Sequence, residues 1–64
     1  MDYDELFGKY GYINEPQVGV NSDGESCIVS IDDEQASVRT LQHNGWMRIN
    51  IYHKDGTVEE FYER

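Results

Sequence analysis

Sixty-four residues with a formal net charge of −8, 38% hydrophobic and 12% aromatic, suffice for one core and not two, since a chain this short buries only about 60% of its unfolded surface. The hydrophobic content and single proline exclude a disordered tail, the acidity disfavours direct contact with nucleic acid or an anionic membrane, and one cysteine excludes an internal disulfide. Residues 1–64 are therefore expected to form a single small α+β domain, a short N-terminal helix packed on a four- or five-stranded antiparallel β-meander, in a reducing, cytoplasmic compartment.

The acidic start Met1-Asp2-Tyr3-Asp4-Glu5 lacks the basic segment and apolar run of a signal peptide, and no apolar run reaches membrane-spanning length. Tyr3, Leu6, Phe7 and Tyr10 then recur at i, i+3, i+4 and i+7, which puts them on one stripe of a helix. Asp2 with Glu5 suits its positive end, and Gly11 is placed to stop it. Two to three turns are marginal alone, so this helix is expected to dock on the sheet as a lid.

After Asn14-Glu15-Pro16, strands are predicted at Gln17 to Val20, Ser26 to Ile31, Ala36 to Gln42, Trp46 to His53 and Thr57 to Tyr62. The segments Ser22-Asp23-Gly24, His43-Asn44-Gly45 and Lys54-Asp55-Gly56 carry the turn chemistry of tight hairpins. Two-residue and three-residue versions of these turns pair different residues, and a slip of one reverses the facing. In Trp46 to His53 the alternation puts Met47, Ile49 and Ile51 on one side and Trp46, Arg48, Asn50 and Tyr52 on the other. The aliphatic row is expected to be the core face beneath the helix; Trp46 and Tyr52 then lie on an open surface, unless, as the small number of other core candidates favours, a strongly twisted or barrel-like sheet buries part of both faces. Arg48 is expected to join Glu59 or Glu60 across strands.

Metal and catalytic signals are poor. Asn21, Asp23 and Gly24 lack the first acid of a calcium loop and meet Ser30 where its bidentate glutamate belongs. Cys27, His43 and His53 have no zinc-ligand spacing, so Cys27 reads as a small strand residue and the histidines as turn-flanking groups. No cofactor is expected. A Cys27–histidine site would need a cleft and an oxyanion donor that a one-layer sheet hardly provides.

Charge carries the functional expectation. Residues 1–34 hold nine acids against Lys9 alone, whereas residues 35–64 balance four acids with four bases. The partner is therefore expected to be a basic protein, met by Glu15, Asp23, Glu25, Asp32, Asp33 and Glu34 together with Trp46 and Tyr52. The favoured reading is a non-enzymatic inhibitor that occupies the nucleic-acid-binding surface of that partner, a DNA-mimic or anti-CRISPR-like role of the phage or mobile-element type. The alternative is a protein-binding module that uses Trp46 and Tyr52 on the sheet face. A second alternative is a small ribonuclease or toxin with Glu59 or Glu60, His53, Arg48 and Tyr52 on one face. Carboxylates at Glu59, Glu60 and Glu63 oppose pairing of the last strand's edge, which favours a monomer over a homodimer.

Overall fold

The computed structural model describes residues 3–13 and 18–64, the side chains of Tyr3 and Asp4 aside. Asp2, Glu15 and the start of the first expected strand lie outside the described residues. Helix α1 covers Tyr3–Tyr10, and strands β1 (Gly19–Asn21), β2 (Gly24–Ile31), β3 (Gln35–Gln42), β4 (Met47–His53) and β5 (Val58–Glu63) follow. All five strands pair antiparallel in sequence order, the expected α+β meander.

Gly11 ends the helix in a Schellman motif. Its N–H reaches the Gly8 carbonyl at 3.0 Å, and the N–H of Tyr12 reaches that of Phe7 at 3.0 Å. The apolar contact that accompanies this motif is present as well, the Phe7 and Tyr12 rings meeting edge to face at 5.4 Å. Lys54 Nζ donates to the Tyr10 carbonyl, so a cation from a distant turn satisfies the negative end of the helix.

Both of the last two hairpins use a three-residue loop. Gln42 N–H bonds the Trp46 carbonyl and Gly45 N–H the Gln42 carbonyl, while His53, Thr57 and Gly56 repeat the pattern. In each loop one glycine takes the left-handed conformation, Gly45 at φ 89° and Gly56 at φ 94°, and no described non-glycine residue has positive φ. The two-residue type I′ turn needs positive φ at both central positions, so Asn44 and Asp55 exclude it. Their side chains instead accept from the N–H of Trp46 at 2.9 Å and of Thr57 at 2.8 Å.

This register corrects the expected facing of β4. Ala36 pairs with Tyr52, Val38 with Asn50 and Thr40 with Arg48, and it is this row that turns toward the helix. Phe7 is fully buried, packed with Tyr12, Ala36 and Val38, and Tyr52 meets it edge to face at 6.1 Å. The small side chains of Ala36 and Val38 leave room for the phenyl ring. A bulge at Val29, between the Ile28–Val38 and Ser30–Ser37 pairs, lets Ile28 and Ile31 both pack against that core although they are three residues apart. Beyond the helix the same face becomes polar: the Ser26 and Thr40 hydroxyls bond at 2.8 Å, and Asn50 Nδ2 donates to Glu60 at 3.3 Å. Met47, Ile49 and Ile51 lie on the opposite face, which no element of the described chain covers.

Candidate functional site: an uncovered sheet face and scattered carboxylates

The antiparallel connections send the turns to alternate ends of the sheet. The β1–β2 turn with Asp23 and the β3–β4 turn share one end, and the β2–β3 turn with Asp32, Asp33 and Glu34 shares the other with the β4–β5 turn. The eight residues of β2 hold the two acidic groups apart by about 26 Å, at about 3.3 Å per residue. The expected acidic site is thus two separate groups.

Each end is built differently. Asp32 Oδ1 accepts from the N–H of Glu34 at 2.8 Å and of Gln35 at 2.9 Å, which folds the turn and holds the Asp32 carboxyl below the ordinary carboxylate range. Tyr12 ties this turn to the helix by donating its hydroxyl to the Asp32 carbonyl at 2.6 Å. Burial, and then the Asp32 charge, push the Tyr12 hydroxyl above its ordinary value. Asp33 and Glu34 project into solvent. At the far end Asp23 approaches Arg48 at 4.0 Å, so Arg48 pairs with a residue of the first hairpin rather than with Glu59 or Glu60. Glu25 is exposed on the uncovered face, opposite Leu41.

Trp46 and Tyr52 do not form a common surface. Tyr52 is half-buried beneath the helix, and this burial raises its pKa. Trp46 precedes β4 at the edge of the molecule, 37% exposed, with the Arg64 guanidinium 5.4 Å over its ring.

The acid–base set of the ribonuclease alternative is likewise divided. His53 and Glu59 meet at 2.8 Å on the uncovered face, whereas Arg48, Tyr52 and Glu60 belong to the helix-side rows. Cys27, on the uncovered face opposite Arg39, is four residues along the register from the row of His53. Among the described residues no three His, Cys, Asp or Glu side chains gather as a metal site, and no helix is long and apolar enough to cross a membrane.

What the facing assignment missed is the uncovered face itself. Val20, Leu41, Met47, Ile49, Ile51 and Phe61 form its apolar surface, with Val20 83%, Leu41 50% and Phe61 49% exposed. A depression of about 260 Å³ opens there, lined by Glu25, Cys27, Arg39, Leu41 and Met47 with Ser26. Alternation in β5 separates Phe61 from Tyr62, but only the loop length tells which of them joins Ile49. No protein family, no curated protein and no solved structure matches this chain.

Proposed function

We propose that this chain is a non-enzymatic, acidic interaction protein that occupies the nucleic-acid-binding surface of a basic partner. One observation carries the reading. Of the five lysines and arginines, three are turned onto the protein itself: Arg48 to Asp23, Lys54 to the Tyr10 carbonyl and the Tyr12 ring, and Arg64 onto Trp46. Asp33, Glu34, Glu25 and Glu63 are exposed and outside ion-pair distance of any described cation. Three of the five cations are engaged within the fold while carboxylates face outward, which gives the surface a net sign that a phosphate-binding groove attracts.

The two acidic ends, about 26 Å apart by strand geometry, suit a long groove better than a single pocket. Tyr52 is engaged with Phe7, so the reading rests on the carboxylates and not on that ring. The test starts from the partner captured in the source cell. Bound to labelled nucleic acid, that partner should release it as the chain is added, and release should weaken steeply with salt because exposed charges are screened over about 10 Å at 0.1 M. Asp33→Asn with Glu34→Gln should raise the concentration needed by about tenfold or more, since two charge contacts of about 1 kcal/mol each are lost. Asp32 is left in place because it holds the turn. A ternary complex in which the nucleic acid stays bound would overturn the proposal.

A further inference from the structure

We infer that the uncovered sheet face is a self-association surface, on which a second copy of this chain packs to complete a two-layer β-sandwich with helices outside. The monomer is deficient in core. Its buried apolar cluster is Phe7, Tyr12, Ala36 and Val38, with Tyr10, Ile28, Ile31 and Tyr52 partly buried against it, while Val20, Leu41, Met47, Ile49, Ile51 and Phe61 stand on the uncovered face. A one-sided apolar sheet is stabilised by burying that face against another layer.

Size permits a second copy. The five strands, about 4.8 Å apart and mostly six to eight residues of about 3.3 Å each, outline a face of roughly 500 Å². Two such faces bury on the order of 1,000 Å² together, the lower bound of a specific interface.

The face is also complementary to itself. In a two-fold contact each feature must meet a different feature of the same surface. Phe61 projects from β5 at one side, and the depression lined by Glu25, Ser26, Cys27, Arg39, Leu41 and Met47 lies across β2, β3 and β4. Phe61 of each copy fits the depression of the other. Glu59 and Glu63 lie two residues to either side of Phe61 on the same face, and Arg39, exposed there, has no carboxylate of its own described chain within ion-pair distance. Seating Phe61 in the depression brings one of these carboxylates to Arg39, twice by symmetry. The like charges of Glu59, Glu60 and Glu63 oppose edge-to-edge pairing of β5 and leave this face-to-face contact open.

Sedimentation equilibrium from micromolar to near-millimolar protein tests the inference. The wild type should pass from 7.5 kDa to twice that mass, and alkylation of Cys27, exposed in the monomer, should slow about tenfold as it does so, because a thiol under a packed sheet is shielded. Phe61→Glu and Arg39→Glu should remain monomeric with the wild-type circular dichroism. Should either variant unfold, the mass and the labelling rate of the wild type still decide. A wild type that stays at 7.5 kDa overturns the inference. So does a dimer whose Cys27 reacts at the monomer rate, or one that survives in folded Phe61→Glu.

Discussion

Asp32 and Tyr12 show how much of a small fold rests on single polar contacts. Asp32 accepts two backbone N–H groups and Asp55 accepts the N–H of Thr57, which lowers both carboxyls below the ordinary value of 3.8. A carboxyl lowered in the folded state contributes stability that is fully present above 3.8 and is lost as pH falls through its folded value. Thermal midpoints measured across the acid range should therefore fall below that point. Asp32→Asn should flatten the fall, because an amide keeps the turn without titrating, and Asp32→Ala should lower the midpoint at every pH. Tyr12 titrates at the other end. Its hydroxyl is raised above 10.0, so its contribution is complete below 10 and disappears as pH rises through the folded value. Tyr12→Phe should cost about 1 kcal/mol in urea denaturation at neutral pH, the net worth of one hydrogen bond.

At the scale of elements, the helix and the two three-residue hairpins divide the labour. Among the described side chains of α1, Phe7 is the large apolar one that is buried completely, and truncating a buried phenylalanine removes about 3–5 kcal/mol, comparable to the whole stability of a small domain. Phe7→Ala should leave much of the population unfolded at room temperature by circular dichroism. Ile49→Ala, on the uncovered face, should cost far less in dilute solution, and an equal loss would mean that this face is covered in the monomer. The hairpins set which row meets the helix, so Gly45→Val and Gly56→Val strain the positive φ that their loops need. Each should destabilise by about 1–2 kcal/mol in a denaturant titration.

For the whole molecule, charge and shape act on different surfaces. A net charge of −8 on 64 residues repels itself, and ion pairs among the described residues are confined to Arg48–Asp23 and His53–Glu59. Screening the repulsion outweighs weakening two exposed pairs. Raising salt from low to physiological concentration should stabilise the fold by about 1 kcal/mol, or about 4–8 °C in a calorimetric scan of a domain of this size. A fall in the midpoint would show that attractive pairs dominate instead.

By itself the sequence determined the elements and their order. The Tyr3, Leu6, Phe7, Tyr10 spacing, the three Asx-Gly turns and the alternation of Trp46 to His53 are local patterns, and each has a local physical cause in helix period, turn chemistry or strand pleat. The charge was legible too, because summing carboxylates needs no coordinates. Only the tertiary structure decided which face of β4 is core and where the carboxylates sit. Facing depends on whether the loops after Gln42 and His53 hold two residues or three, and a single residue reverses every side chain of the strand. Both rows of β4 contain apolar residues, so periodicity measures alternation without naming the side the helix takes. The small Ala36 and Val38, the Val29 bulge and the ring of Phe7 settle that choice through packing. Meander topology, in turn, sends Asp23 and Asp32 to opposite ends of the sheet, a separation that residues only nine apart in the chain do not reveal.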